Sequence, residues 1–264
     1  MAKIPWRVIF WVKWARINVI CFGYKMKPLR IFRHIACEGP GYLGEFLDRQ
    51  EVPWELVCVD AQRPVPMQLD DVSGLIFMGA AVSVNDPLPW VEKELSLIRN
   101  AHEAGLPMMG ICFGGQLISK ALGGVVTRGE GMEIGWHPLY RLNSHQHQDW
   151  LDGLPVEFET FHWHADTFSM PPGSQPLLMS ECYRNQGFVL GDHLGMQFHL
   201  EMTEEMIEAW IDRYGSDLEL DSCCIQSARD IKKDLPERIR QLHEISDVIY
   251  GSWLARVRKC EVAA

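Results

Sequence analysis

The stretch Pro107-Met-Met-Gly-Ile-Cys-Phe-Gly-Gly-Gln-Leu-Ile-Ser-Lys-Ala-Leu-Gly-Gly124 is the clearest structural signal in the chain. It predicts a short apolar strand from Met108 to Ile111, a tight corner at Cys112, and an amphipathic helix that ends at a Gly-Gly pair. The glycines at the corner let the backbone pass close to neighbouring chain, where a side chain would collide. A strand that leads directly into a helix is typical of the βαβ units of a parallel sheet.

The same alternation continues on the N-terminal side of this stretch. Apolar runs at 29–36, 54–59 and 74–78 predict three further strands, and helical periodicity at 42–49 and 90–104 predicts two helices. Strands that alternate with longer helices indicate a parallel sheet, in which ligands bind at the carboxyl ends of the strands. Cys112 and the loop after residue 78 both lie at such ends, so we expect them to share one crevice.

The pattern changes after residue 125. Shorter apolar segments at 134–142, 156–161, 177–180 and 187–190, some separated by turns, indicate appended, mostly antiparallel strands. The segment 195–201 is the predicted last strand of the core. Thr203 is a predicted helix cap, and 227–258 predicts a helical tail. The predicted fold is therefore α/β: a mostly parallel central sheet flanked by helices, with a small antiparallel addition and a C-terminal helical tail. We predict one domain over 26–258.

Composition excludes several classes of protein. The 264 residues are 47% hydrophobic and 23% charged, which is typical of a globular protein, and the net charge of −10 argues against nucleic-acid binding. The eight cysteines are scattered without a CxxC pair, which predicts free thiols in a reducing compartment, the cytoplasm, rather than a disulfide framework.

Residues 1–25 differ from the rest, because they carry five basic residues and no acidic one. A membrane span is disfavoured, since Arg7, Lys13 and Arg16 would each cost about 2.5–3.5 kcal/mol near the middle of a bilayer. The same charges disfavour a secretory signal. An interfacial or organelle-targeting helix stays open. We favour an extension that is untranslated or disordered, with translation starting at Met26.

A cysteine nucleophile needs a base and a group that orients the base. His199 and Glu201 lie two residues apart at the end of an apolar strand, where alternate side chains share a face. Glu201 is therefore placed to hold the His199 ring towards the thiol of Cys112. The N–H of Phe113 and the loop Gly79-Ala80 are the predicted donors to an oxyanion. The alternative is that Cys112 and His199 are structural, as buried cysteines often are.

The motifs Gly110-Ile-Cys-Phe-Gly-Gly-Gln116 and Gln197-Phe-His-Leu-Glu201 resemble those of the class I (triad) glutamine amidotransferases, with further matching stretches beginning at Glu38, Glu133 and Phe161. The resemblance covers about residues 26–254 and points to the stand-alone, GMP-synthase-like members, whose fold is flavodoxin-like.

The resemblance implies that Cys112 attacks the side-chain amide of glutamine, that His199 acts as general base and acid, and that Glu201 orients it. It also implies that Gln116, Trp163 and His164 contact the substrate, and that no cofactor takes part.

Three residues depart from the family pattern. Ala80 stands where a second glycine of the oxyanion loop is usual, Leu200 where a proline is usual, and Ala165 where a glycine is usual. If position 80 needs a positive φ angle, alanine carries a steric penalty there.

Other chemistry has weaker support in the sequence. The pairs His145-x-His147 and His162-x-His164 lack ligand partners at the usual metal-site spacings, so we predict no metal. The chain has no P-loop and no pyrophosphatase loop, which argues against GMP synthesis by this chain alone.

Three functions stay open: a glutamine amidotransferase that passes ammonia to an unidentified acceptor or partner enzyme, a hydrolase of γ-glutamyl peptides or conjugates, and a non-catalytic binding module.

Overall fold

The computed structural model describes residues 26–142 and 148–263. The predicted N-terminal extension at 1–25 and the pair His145-x-His147 lie outside the described residues. No helix in the two described ranges is both long enough and apolar enough to cross a membrane.

The described chain forms one sheet of nine strands. In chain order they are β1 (Leu29–Arg33), β2 (Trp54–Cys58), β3 (Gly74–Phe77), β4 (Met108–Ile111), β5 (Val126–Arg141), β6 (Glu157–Phe168), β7 (Gln175–Met179), β8 (Gly187–Leu190) and β9 (His193–Met196). Their spatial order is β2-β1-β3-β4-β9-β8-β7-β5-β6. The first five in this order pair in parallel, and the pairs from β9 to β6 are antiparallel. The predicted α/β fold is confirmed.

Helices cover the sheet on both sides. They are α1 (Gly41–Arg49), α2 (Pro89–Glu103), α3 (Phe113–Ala121), α4 (Glu204–Tyr214), α5 (Ala228–Lys232) and α6 (Leu235–Ala263). Short 3₁₀ turns occupy Val59–Ala61, Gln148–Leu151 and Gly215–Glu219. As predicted, Thr203 caps α4, because its hydroxyl accepts a hydrogen bond from the N–H of Met206 at 3.2 Å.

The period-2 geometry of the strands divides the core in two. Ile31 and Ile76 point into one half, and their neighbours Phe32 and Phe77 point into the other. All four are fully buried, because helices cover both faces of the parallel strands.

Several predicted boundaries were wrong, among them those of β5, β9 and the C-terminal tail. Strand β5 begins at Val126 although it contains Gly129 and Gly131, and its pairing with β6 shifts register between Arg128 and Glu133. Strand β9 ends at Met196, so residues 197–201 lie beyond the strand. The tail is two helices rather than one, because Asp234 has a φ of 53° between α5 and α6.

The prediction of free thiols was wrong for two cysteines. Cys182, between β7 and β8, forms a disulfide with Cys224, which follows the last 3₁₀ turn. These cysteines are 42 residues apart in sequence, and the fold brings their Cα atoms to 6.3 Å, so no spacing motif could have paired them. The other cysteines in the described residues are free: Cys37, Cys58, Cys112, Cys223 and Cys260.

Candidate active site

Cys112 lies at the corner between β4 and α3, as predicted. Its backbone has φ 51° and ψ −107°, an uncommon conformation for a residue with a side chain. Glycine is needed on both sides of this corner, since a Cβ at Gly110 would lie 2.4 Å from the Gly114 carbonyl group. A Cβ at Gly114 would lie 1.9 Å from the carbonyl oxygen of Phe77. This packing turns the Cys112 side chain towards a cavity of about 440 Å³.

His199 and Glu201 are brought together just beyond the end of β9. The two side chains meet, with Nδ1 of His199 at 2.7 Å from Oε1 of Glu201, although neither residue lies in the strand. The backbone N–H of His199 donates to the carbonyl of Phe161 at 2.8 Å, which holds this segment against β6. Shared strand geometry, the basis of the prediction, is therefore not what joins the pair.

The second oxygen of Glu201 is also held. Oε2 accepts a hydrogen bond from the backbone N–H of Leu200 at 3.0 Å. Proline, which the family resemblance leads one to expect at position 200, has no N–H and could not make this bond. The departure at Leu200 thus adds a restraint on the Glu201 carboxylate.

Cys112 lies close to His199, and because Glu201 occupies Nδ1, Nε2 is the ring nitrogen left for the thiol. Nε2 is buried without a hydrogen-bond partner among the described residues. Burial by itself lowers the pKa of His199, but Glu201 and then Cys112 outweigh it, and the pKa is raised well above its usual value of 6.5. The ring of Trp210 packs perpendicular to the imidazole, with the two ring centroids 4.9 Å apart.

The cavity brings together most of the predicted site residues. Five of them line it: Ala80, Cys112, Gln116, Trp163 and His164. The other four are not among the residues that line it: Gly79, Phe113, His199 and Glu201.

The loop Gly79-Ala80 is not strained at Ala80. The described non-glycine residues with positive φ are Glu51, Gln62, Cys112 and Asp234, so position 80 does not carry the conformation that would penalise alanine. Gly79 has a different reason to be glycine. A Cβ there would lie 2.5 Å from Oε2 of Glu38 and 3.3 Å from Cε1 of His199.

Two glutamine side chains link the cavity wall to the thiol. Nε2 of Gln116 donates to the carbonyl of Asp166 at 3.1 Å and lies 3.3 Å from Oε1 of Gln197. Nε2 of Gln197 in turn lies 3.5 Å from the sulfur of Cys112. Gln197 was quoted in the sequence motif but not predicted as a site residue.

Glu38 is a cavity residue that the sequence reasoning missed. It is buried, lines the cavity and accepts a hydrogen bond from the hydroxyl of Tyr214 at 3.3 Å. Burial raises the pKa of Glu38, an effect that the nearby His199 partly offsets. Its place after the carboxyl end of β1 was the available signal, since ligands of parallel sheets bind at such ends.

Behind His164 lies a buried polar cluster of Glu133, His162 and His164. Nε2 of His164 lies 2.9 Å from Oε2 of Glu133, and Nδ1 of His162 lies 3.3 Å from the same oxygen. Burial raises the pKa of Glu133, but His162 and His164 outweigh it and lower the pKa strongly. These three residues could hold a metal ion. His164 hydrogen-bonds Glu133 directly, whereas Nδ1 of His162 and Oε1 of Glu133 are buried without a hydrogen-bond partner among the described residues. The absence of a metal stays a prediction.

Comparison with known proteins agrees with this geometry. The model of the family "Glutamine amidotransferase class-I" matches residues 46–210. The chain belongs to the class I glutamine amidotransferase family. The predicted family and enzyme class, a cysteine-dependent amide hydrolase, are thereby confirmed.

This amidotransferase is similar to relatives of three kinds: a glutamine amidotransferase, a GMP synthase subunit and a gamma-glutamyl peptidase. A crystal structure of a glutamine amidotransferase from Methylobacillus flagellatus is 39% identical, with a TM-score of 0.84 over 88% of this chain and 95% of that one. One subunit of the glutamine-hydrolyzing GMP synthase of Sulfurisphaera tokodaii is 30% identical over 74% of this chain and 95% of its own length. Gamma-glutamyl peptidase 5 of Arabidopsis thaliana is 28% identical over 61% of this chain and 66% of its own length.

Proposed function

We propose that this amidotransferase hydrolyses the γ-amide of glutamine through a triad of Cys112, His199 and Glu201. The observation that carries the proposal is the orientation of His199. Its Nδ1 is held by Glu201 at 2.7 Å, and its buried Nε2 is left for the thiol of Cys112. A nucleophile, a base and a group that orients the base are the parts that covalent amide hydrolysis requires.

The reaction has two halves. The sulfur of Cys112 gives its proton to His199 and attacks the γ-carbonyl carbon of the substrate. The C–N bond then breaks, and the leaving nitrogen takes the proton from His199 and departs as ammonia. Water attacks the resulting γ-glutamyl thioester, with His199 as base, and glutamate leaves as the thiol of Cys112 is restored.

Backbone donors stabilise the negative oxygen that forms in each half. The N–H groups of Phe113 and Ala80 are suited to this role, because Phe113 opens α3 beside Cys112 and Ala80 lines the cavity next to it. The N-terminus of α3 also favours negative charge at this corner.

The rest of the cavity suits an amino-acid substrate. Arg128 offers a cation to the α-carboxylate, and Asp86 and Asp217 offer carboxylates to the α-amino group. Gln116, Trp163 and His164, which line the same cavity, are the further proposed contacts.

Ammonia needs an acceptor that this chain has no recognisable means to activate. Because the relative from Sulfurisphaera tokodaii is one subunit of a glutamine-hydrolyzing synthase, we propose that a partner protein holds the acceptor. A location in the cytoplasm and the absence of a cofactor stay predictions.

Hydrolysis of γ-glutamyl peptides is the second candidate. The cavity of about 440 Å³ lies in the range, about 300–1,000 Å³, that accommodates ligands larger than a single amino acid. The similarity to a gamma-glutamyl peptidase of Arabidopsis thaliana favours the same substrates.

A single set of assays separates these functions. We expect glutamate release from glutamine, or from one of a panel of γ-glutamyl peptides, that disappears in Cys112→Ala and persists in the matched control Cys58→Ala. The substrate with the larger kcat/KM identifies the class. A glutamine-analogue electrophile should label Cys112 alone. If none of these compounds is turned over in a Cys112-dependent way, the proposal is refuted and a binding module is favoured.

A further inference from the structure

A buried His-Glu pair lies directly behind the oxyanion loop. His34 follows the carboxyl end of β1, and Glu94 projects from α2. Both side chains are completely buried. Neither residue belongs to the motifs that carry the family resemblance, and neither lines the cavity. A buried charged pair in this place needs a reason, because taking charges out of water is costly.

The contacts of His34 fix its charge. Nε2 lies 3.2 Å and 3.1 Å from the two oxygens of Glu94, and Nδ1 lies 3.3 Å from the carbonyl oxygen of Gly79. A carbonyl and an ionised carboxylate only accept hydrogen bonds, so the imidazolium, which donates from both ring nitrogens, is the form that satisfies all these contacts. Burial lowers the pKa of His34, but Glu94 outweighs it and the pKa is raised, in agreement with the contacts.

The bond to Gly79 fixes the orientation of the next N–H group. The carbonyl of Gly79 and the N–H of Ala80 belong to one planar peptide unit and, in its trans form, point in opposite directions. A donor that holds the carbonyl on the core side therefore holds the N–H of Ala80 on the other side, and Ala80 lines the cavity. A cationic donor also polarises the peptide, which strengthens its N–H as a donor.

Two aromatic side chains pack against the ring of His34, and one of them belongs to Phe113, the second proposed oxyanion donor. The ring of Trp90 stacks on that of His34 with centroids 5.2 Å apart, and the ring of Phe113 meets it edge-on at 5.0 Å. Aromatic rings stabilise a cation that they enclose. His34 thus contacts both residues proposed as oxyanion donors, Ala80 through the peptide unit it shares with Gly79 and Phe113 through its side chain.

We propose that His34, held by Glu94, is a positioning residue that orients the two backbone donors of the oxyanion hole. The inference rests on the proposed function, since an oxyanion forms only if Cys112 attacks a carbonyl. Donors fixed before the reaction need no reorganisation as charge develops.

The variants Glu94→Gln and His34→Ala test this role. Glu94→Gln keeps the volume and one acceptor but removes the charge, and His34→Ala removes the donor to Gly79. We expect kcat to fall about tenfold to a hundredfold in both, below the hundredfold to thousandfold loss typical when an oxyanion donor is deleted. KM should change less than threefold. His34→Gln, whose amide can donate to Gly79, should recover part of the loss.

Alkylation of Cys112 by iodoacetamide separates positioning from general damage, because displacement at a saturated carbon forms no oxyanion. We expect the alkylation rate of both variants to match that of the wild type. The matched control is His102→Gln on the same helix α2, where Nδ1 of His102 lies 2.9 Å from Nε2 of His193. This control should leave both rates unchanged. An alkylation rate that falls together with kcat would overturn the proposal.

Crystal structures of the wild type and of His34→Ala test the positioning role directly, without an activity measurement. A Gly79-Ala80 peptide that turns in the variant supports the positioning role, and one that keeps its orientation refutes it. If the wild type shows no Cys112-dependent turnover, the proposed function fails, and the orientation of this peptide still decides whether His34 positions it.

Discussion

His199 has two different neighbours at its two ring nitrogens, and this asymmetry organises the catalytic proposal. Glu201 holds Nδ1 at 2.7 Å, while Nε2 has no hydrogen-bond partner among the described residues, and Cys112 is close enough to raise the pKa of the ring. Because the ring is enclosed by Trp210, the Glu201 carboxylate is the principal source of stabilisation for a positive charge on it. A proton on His199 therefore contributes to folding as well as to chemistry.

This proton makes stability depend on pH. Since the pKa of His199 is raised above its usual 6.5, the folded protein holds the proton more tightly than the unfolded chain. The contribution is fully present below about pH 6.5 and is lost as pH rises through the raised pKa. We expect the free energy of unfolding to fall over this window by at most about 1.4 kcal/mol per pH unit for this proton. The fall should be smaller in Glu201→Gln.

Urea denaturation between pH 6 and pH 10 measures the difference. Subtracting the curve of Glu201→Gln from that of the wild type removes the contribution of groups, such as His34, that both proteins share. Glu244→Gln, which changes an exposed carboxylate on α6, is the control and should parallel the wild type. Wild-type and Glu201→Gln curves that run parallel over the whole range would show that Glu201 does not hold this proton.

The element that presents Cys112 is α3, and its first turn lies unusually close to the sheet. Gly114 lies so near β3 that a Cβ would come within 1.9 Å of the Phe77 carbonyl oxygen, and Gly115 lies similarly close to Met196 of β9. Both contacts are with backbone, which cannot rotate away as a side chain can. The glycines thus set how deeply the helix N-terminus sits between the two strands.

Gly114→Ala should push α3 away from β3. We expect a loss of about 1–3 kcal/mol or more in the free energy of unfolding, the usual range for overpacking. A larger relative loss of kcat should accompany it, because Cys112 and Phe113 move with the helix. Gly251→Ala in α6, where nothing lies within 4 Å of the added Cβ, should instead stabilise by about 0.5–1 kcal/mol. Equal urea midpoints for the two variants would contradict this account of the packing.

The elements also show what the sequence could predict. The corner at Cys112 was predictable because a strand, a nucleophile and paired glycines lie within a few residues. His199 and Glu201 were predictable as a pair from their spacing, although the segment beyond β9 and not the strand itself brings them together. Local pattern was enough for these features.

Other site features depend on contacts that no local pattern records. His34 meets Gly79 across 45 residues and Glu94 across 60, and a lone histidine after a strand has no spacing that links it to either. Strand β5 was predicted too short for a related reason. Its first half contains Gly129 and Gly131, which disfavour a strand, and pairing with β6 overrides that preference.

At the scale of the whole molecule, the disulfide joins two parts of the chain that border the cavity. Tyr183, next to Cys182, packs its ring 4.7 Å from that of His164. The segment that contains Cys224 follows Tyr214 and Asp217, which line the cavity wall. A backbone hydrogen bond from Ile134 to Cys224 at 2.8 Å attaches this segment to β5. The disulfide thus closes a chain of contacts around one side of the site.

Loss of the disulfide should lower the stability of the fold. Closing a loop of 42 residues removes conformational freedom from the unfolded chain, which a chain-entropy treatment values at about 4 kcal/mol, with about 2–4 kcal/mol typical. We expect Cys224→Ser, or the wild type in a dithiol reductant, to unfold at a lower urea concentration by a matching amount. Cys223→Ser changes the exposed neighbouring thiol and should unfold as the wild type does.

Disulfides are rare in cytosolic proteins, so the comparison with reductant also measures how much of the stability survives in the reducing compartment predicted from the cysteine pattern. Non-reducing peptide mapping that fails to link Cys182 to Cys224, or equal urea midpoints for Cys224→Ser and Cys223→Ser, would contradict this assignment.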